Sequence, residues 1–380
     1  MDRLPSGRWR ARYLGPDGHR HSSTFRKKGD ADAFLNGQQT DQGRGVWVDP
    51  RLGRTPLGEW VERWWATTTN LRPSTRARDW GYIDRYILPP FKDQAIGEVT
   101  QLDVRAWVAE LSATGLAPAT VVKAYQILGK LLAAAVDGGL IATTPCRRVP
   151  LPRVEREEMR FLTPEQVATL AESIHPRYRA LVLVGAYGGP RIGEMAGLRR
   201  SRVDPLRSRI DIAEICVEVR GHLTFGPPKT RAGRRMVTLP RFVAEALAHH
   251  LATFVAPGPD AFVFPAPAGG ALRVPSWRRR FWAPAVVAAG LEPLRAHDLR
   301  HTAVALWIAQ GANPKQVAAR AGHSSVSFAL DRYGHLFPEA DEALLVGLEA
   351  AHNAASAESL RSRSGHAEVT VLSKAAKKGL

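Results

Sequence analysis

The chain has 380 residues, 44% of them hydrophobic, which is enough for two or three domains with cores of their own. Its 53 basic against 36 acidic side chains leave a formal charge of +17, a field that favours a polyanion, with nucleic acid the first candidate. Cys146 and Cys216 form no CxxC, no signal peptide stands at the start and no run of ~18 apolar residues appears, so a disulfide framework, a cysteine metal site and a membrane span are not expected.

Near the start Arg8, Arg10 and Arg12 alternate with Trp9, Ala11 and Tyr13. With the turn Gly15-Pro16-Asp17-Gly18 and a second extended run to Phe25, this spacing predicts a β-hairpin with one arginine face. A short helix carrying Ala33, Phe34 and Leu35 follows Lys27-Lys28-Gly29. Residues 1–54 hold 11 basic and 6 acidic side chains, a net +5, consistent with a small sheet that reads DNA.

From Thr55 to about Pro145 the pattern is helical. Leu57, Trp60, Val61, Trp64 and Trp65 share one face, and Trp80, Ile83 and Ile87 mark a second helix. Thr100 and Asp103 resemble a capping box ahead of Val104, Trp107, Val108 and Leu111. A fourth helix begins at Pro118 and ends at Gly138-Gly139. Together these predict a four-helix bundle without catalytic groups, Lys123 being its candidate DNA contact.

Residues 147–160 are rich in proline and charge and read as a linker. Thr163-Pro164-Glu165-Gln166 caps the next helix, and an apolar helix over 179–187 runs into Gly188-Gly189-Pro190 and then Arg191, in the first turn of another helix, where free backbone N–H groups favour an anion. Strand character follows at 209–212, 215–219 with 222–225, and 235–239; Lys229 sits in the turn between the last two. The stretch from Gly221 to Gly226 begins like a phosphate-binding loop, but Pro227 stands where the lysine must be, which excludes a nucleoside-triphosphate site. Positive charge gathers here, with 12 basic against 5 acidic residues over 191–241 and 6 against 2 over 273–301.

The last ordered stretch opens with His297, Asp298, Leu299, Arg300 and His301, of which His297, Arg300 and His301 share a helix face. Gly311 ends that helix, Asn313-Pro314 begins another, and Gly322-His323-Ser324 and Tyr333-Gly334-His335 follow. The pair His297 and His301 has neither the glutamate nor the third ligand of a zinc site, so no metal is expected. After Ala351 the chain turns polar and reads as a disordered tail, preceded by a small apolar stripe of Leu344, Leu345 and Leu348.

Five segments in this order, Arg191 in GGPRIGE, Lys229 in PPKT, HDLRH at 297–301, AGHSS at 321–325 and DRYGH at 331–335, resemble the tyrosine recombinases of phage-integrase type. The resemblance covers nearly the whole chain. It implies a multidomain, mainly α protein: an arm-site DNA-binding domain (1–54) of hairpin or small sheet plus helix, and a four-helix core-binding domain (55–146). After the linker (147–160) it implies a mixed α+β catalytic domain with a small antiparallel sheet (161–351), then a tail (352–380). By the same resemblance Tyr333 is the nucleophile that forms a 3′-phosphotyrosyl link, and Arg191 and Arg300 clamp the phosphate. His297 assists proton transfer at the tyrosine, His323 hydrogen-bonds the phosphate and Lys229 protonates the departing 5′-oxygen. In that first domain the hairpin's arginine face makes Arg8, Arg10 and Arg12, with Lys27, the candidate DNA contacts. Glu194 and Asp298 are assigned to orienting Arg191 and His297, and His301 and His335 to structure. Neither ATP nor a metal cofactor is required, since the ester keeps the bond energy.

The implied partners are double-stranded attachment-site DNA, three further copies in a homotetramer, a host DNA-bending factor and an excisionase. The implied location is the nucleoid in the cytoplasm of a bacterial host. Two alternatives stay open: a recombinase resolving chromosome dimers, against which the N-terminal arginine face argues, and a non-catalytic DNA-binding protein on the same scaffold.

Overall fold

A computed structural model describes residues 1–45, 47–155, 158–337, 345, 346 and 348–356. The chain forms two compact units, one of residues 1–157 with 219–221, the other of residues 158–218 and 222–380.

In the first unit the predicted hairpin pairs Trp9–Leu14 with Arg20–Phe25, Ala11 opposite Ser23 and Tyr13 opposite His21. Alternation puts Trp9, Ala11 and Tyr13 on one face. The helix Lys28–Gly43 packs there, its Phe34 ring 5.9 Å from Tyr13 and 5.2 Å from Phe25. A third strand, Asp2–Arg3, joins the other edge of the sheet. It changes the expected arginine face: Asp2 ion-pairs with Arg10 at 3.0 Å and with Arg12, which leaves Arg8 as the exposed arginine of that row without an ion pair among the described residues.

The bundle holds the four predicted helices, Leu57–Thr67, Pro73–Tyr82, Gln101–Ala113 and Pro118–Asp137. The second continues through a wide turn, Ile83–Ile87, into Leu88–Phe91, which lets Ile83, Ile87 and Phe91 all reach the core. Thr100 and Asp103 make the reciprocal capping bonds that their spacing predicts. The helix Pro118–Asp137 is long and apolar enough, with a mean hydropathy of 1.3, to cross a membrane on length and composition alone. Here it is the central helix of the bundle, with Val121, Leu128, Leu131 and Leu132 fully buried and the Trp60 indole donating to the Leu131 carbonyl at 3.0 Å. Lys123 lies half-buried on its flank.

In the second unit Pro164–Ser173 starts from the Thr163–Gln166 box. The helix expected over 179–187 is a regular turn, Arg179–Leu183, followed by the wide turn Val184–Gly188, and Gly189 ends it at φ 69°. A side chain at Gly189 would stand 2.7 Å from the Trp307 ring, so both its backbone conformation and its neighbour demand glycine. Three strands, Val203–Asp204, Arg209–Ile212 and Arg235–Thr238, form an antiparallel sheet, and Ile215–Val219 with His222–Gly226 forms a separate hairpin. Helices Arg241–Phe254, Ala283–Ala288 and Asp298–Ala309 enclose the main core, and Pro314–Ala321 and Val326–Tyr333 close a smaller one around Val304, Val317 and Tyr333. Of the apolar stripe, Leu345 and Leu348 are exposed and Leu344 lies outside the described residues. Residues 352–356, where the tail was expected to begin, are helical; 357–380 lie outside the described residues.

Candidate active site

The site is built on the N-terminal half of Asp298–Ala309. Arg300 is 3% exposed, and its two terminal nitrogens donate to the Gly189 carbonyl at 2.7 Å and the Ala321 carbonyl at 2.6 Å. One guanidinium thus ties together the loop that precedes Arg191 and the turn that precedes His323. A guanidinium has five N–H groups, so three remain for an incoming anion.

Arg191 is the residue just before the short helix Ile192–Ala196, rather than inside its first turn as expected. Its backbone N–H is not free for an anion, because it donates to Glu194 at 2.9 Å. Its side chain pairs with the same carboxylate at 2.8 Å yet stays 43% exposed, open to a ligand. Glu194 thus meets the arginine that it was expected to orient. Burial would raise its pKa, but Arg235, by charge and hydrogen bond, and then Arg191 hold it below the usual carboxylate range.

Arg235 was not singled out from the sequence. It bonds Glu194 at 3.0 Å, the Arg320 carbonyl at 2.7 Å and the Gly233 carbonyl at 3.0 Å. Strand alternation held the signal: Arg235 shares a face with buried Val237, whereas Met236 is exposed. Gly322 sits against this residue at φ 66°, where a Cβ would lie 2.8 Å from the Ala232 carbonyl oxygen. The turn carrying His323 therefore packs directly on the loop carrying Lys229. Lys229 itself is exposed and has no partner among the described residues.

Tyr333 ends the helix Val326–Tyr333 and is 1% exposed. Burial raises its pKa, and Arg300, Arg332 and Arg191 partly offset that. His323, 9% exposed, lies nearly parallel to the tyrosine ring with centroids 6.3 Å apart. Burial first, then Arg300, Arg191 and Arg235, lower His323 to about 3, so it is neutral near pH 7, and its Nδ1 has no partner among the described residues. His297 faces solvent at the start of its helix; desolvation and the two arginines lower its pKa as well. Asp298, assigned to orienting His297, is instead held by the Arg295 backbone N–H at 2.7 Å and by the Arg295 side chain at 3.1 Å.

Two residues left to structure part company here. His335 is exposed, its ring 6.4 Å from that of Phe161, which packs against the smaller core. His301 places Nδ1 2.7 Å from the Tyr333 hydroxyl. Among the described residues the cluster with metal-ligand geometry is elsewhere, at Asp17, His21 and Asp49. There Arg51 supplies the cation, 3.2 Å from Asp17 and 3.0 Å from Asp49.

Residues 1–44 match the N-terminal domain of phage integrases, residues 57–112 their N-terminal SAM-like domain and residues 160–340 the phage integrase family. A putative prophage phiRv2 integrase of Mycobacterium tuberculosis is 32% identical over 339 residues, covering 87% of this chain and 89% of that protein. The chain belongs to the phage integrase family. The integrase of Mycobacterium phage L5 is 29% identical across 89% of this chain and 94% of its own. Among solved structures, a Tn1549 transposon integrase in complex with a circular intermediate DNA shares the fold at TM-score 0.67 and 18% identity, covering 77% of this chain and 99% of that one. A lambda integrase dimer bound to a COC′ core site does so at 0.57 and 16%, covering 87% and 93%. The protein is a site-specific recombinase of the tyrosine type, an enzyme of DNA strand exchange, and the mainly helical fold with small antiparallel sheets agrees with that membership.

Proposed function

We propose that this integrase cuts and rejoins attachment-site DNA through Tyr333, and so inserts and excises the phage or other mobile element that encodes it. The observation that carries the reading is a buried tyrosine hydroxyl whose ionisation is favoured by three arginines, Arg300, Arg332 and Arg191. In the reaction Arg191 and Arg300 hold the non-bridging oxygens of one phosphodiester, where negative charge grows in the transition state. The Tyr333 oxygen bonds to phosphorus and the bond to the 5′-oxygen breaks. The tyrosine proton passes to neutral His297, and Lys229 gives a proton to the leaving oxygen. Neutral His323 donates a hydrogen bond to the phosphate. Bond energy is kept in the phosphotyrosyl ester, so religation needs neither ATP nor a metal. Wild-type protein denatured in mid-reaction on a nicked core site should carry DNA on Tyr333 through a 3′ phosphate; protein with no covalent DNA would refute the reading.

This role for Lys229 is supported by its freedom, the residue being exposed on the turn beside the His323 loop. Lys229→Ala should slow cleavage by about 10²–10⁴-fold, the usual range for losing a general acid. A substrate with sulfur in place of the bridging 5′-oxygen leaves without a proton, so the variant should cleave it at nearly the wild-type rate. Equal impairment on both substrates would assign Lys229 to binding.

Arg8, Arg10, Arg12 and Lys27 form a second DNA grip, with Lys123 on the bundle contacting the core site. Because Asp2 already neutralises part of the row, Arg8 and Lys27 are its stronger members. The complete reaction takes place in a homotetramer on synapsed sites at the host nucleoid, with a DNA-bending protein and an excisionase setting direction. Removing residues 1–54 should leave cleavage of a short core site intact and abolish integration on a full attachment site; normal integration by the truncated chain would end the two-grip reading.

A further inference from the structure

The Tyr333 hydroxyl has one hydrogen-bond partner among the described residues, His301 Nδ1 at 2.7 Å. Both side chains are almost wholly buried, at 1% and 2% exposure, and they lie 32 positions apart in sequence. His301 follows Arg300 directly and meets the His297 ring edge to face at 4.8 Å. Its ring therefore stands at the junction of the phosphate clamp, the candidate proton acceptor and the nucleophile, with the His323 ring nearly parallel to that of the tyrosine.

The direction of the hydrogen bond follows from counting protons. Burial, then His297 and Arg332, lower His301 to about 4, so near neutral pH the ring has one N–H and one lone pair. If Nδ1 carried the hydrogen, the tyrosine O–H and the buried Nε2 lone pair would both be left unpaired. If Nδ1 is the lone pair, only the Nε2–H is left over, and Nε2 is indeed a buried atom with no partner among the described residues. The second arrangement leaves fewer buried groups unsatisfied, so the tyrosine O–H donates. A ring this weakly basic does not hold a phenol's proton in the rate-limiting step, and what it supplies is direction.

We propose that His301 is the positioning residue of the nucleophile: its Nδ1 lone pair holds the Tyr333 hydroxyl at one point in the site, while another group takes the proton. This rests on the reading of Tyr333 as nucleophile. It goes beyond that reading by giving a task to a histidine that neither clamps the phosphate nor transfers a proton.

Two substitutions separate positioning from packing, because both are polar and they differ in reach. In His301→Asn the side-chain oxygen stands where Nδ1 stood, the same number of bonds from the backbone. In His301→Gln it falls one bond farther out, near the place of Nε2. The measurement is single-turnover formation of covalent adduct on a nicked duplex carrying the element's own core site, at saturating protein, with DNA affinity measured separately. His301→Asn should stay within about threefold of wild type, the range of one hydrogen bond altered but kept. His301→Gln should fall by about 10–100-fold with affinity unchanged, as a misplaced nucleophile does. Should His301→Gln lose DNA binding as well, His301→Phe, which keeps a ring and lacks both nitrogens, takes its place with the same expected fall. Equal rates in the Asn variant and its comparison variant, whether both normal or both slow, would overturn the assignment. A wild type that forms adduct beside such variants leaves the nucleophile reading standing; a wild type that forms none overturns that reading itself.

Discussion

Tyr333→Phe should abolish strand cleavage while leaving the fold and the DNA affinity nearly as they are. The substitution deletes one oxygen whose partner among the described residues is His301 Nδ1, and it keeps the ring that stacks on His323. Leaving the buried His301 Nδ1 without that partner costs roughly 1–3 kcal/mol, still a small part of the stability of a unit with so extensive a core. Affinity comes mainly from arginine and lysine contacts to phosphates, to which a neutral hydroxyl adds little. The covalent step has no such reserve. On the proposed mechanism cleavage needs that oxygen as the attacking atom, and the serines of the same segment, Ser324, Ser325 and Ser327, stand before or in the first turn of the helix that Tyr333 ends. Gel separation of denatured reactions on a nicked core site should therefore show a protein–DNA band for wild type and none for Tyr333→Phe, with equal shifts in native gels. A normal yield of adduct from the variant, or attachment mapped to another residue, would end the assignment.

What the sequence made legible was mostly what short range decides. The boxes at Thr100 and Asp103 and at Thr163 and Gln166 each join residues three apart, and both form, as does the cap expected at Asn313. The alternation of Trp9, Ala11 and Tyr13 likewise determines its own hairpin face. Long-range partners were not legible. Asp2 reaches Arg10 and Arg12 only because a two-residue strand folds back on the hairpin, and a lone aspartate near the start carries no periodicity that announces it. Arg235 meets Glu194 across 41 positions and the Arg320 carbonyl across 85, so nothing local marks it apart from its inward register. His301 was set aside for the same reason. Its spacing from His297 invites a metal or a packing reading, and its real neighbour is 32 residues away. The assignment of Asp298 to His297 went wrong in the opposite direction, since Arg295, three residues earlier, captures that carboxylate locally.

On the proposed mechanism Arg300 joins the architecture of the site to its chemistry, and its substitution should show both losses at once. Its cation is nearly inaccessible, and burial first, then Arg191 and Arg235, press its pKa downward against the pull of Glu194. It nonetheless stays protonated, because a guanidinium starts from so high a value. The site thus keeps two arginine charges near each other without a phosphate, an arrangement that a dianionic transition state relieves. In Arg300→Ala the Gly189 and Ala321 carbonyls lose their donor in a buried place, at roughly 1–3 kcal/mol each. The turns that carry Arg191 and His323 then lose their shared tie. Arg300→Lys is the more informative change. A lysine keeps the charge, but its ammonium cannot satisfy two carbonyls in divergent directions and still meet a phosphate in a planar fork. Cleavage by Arg300→Lys should fall by about 10³-fold or more, by analogy with other arginines that stabilise phosphoryl transition states. Its melting temperature should fall less than that of Arg300→Ala, because one carbonyl is still served. Single-turnover cleavage and thermal unfolding of the two variants decide the point. If Arg300→Lys cleaves at the wild-type rate, charge alone is sufficient and the bidentate clamp is wrong. If both variants melt like wild type, the two carbonyl bonds do not hold the turns together.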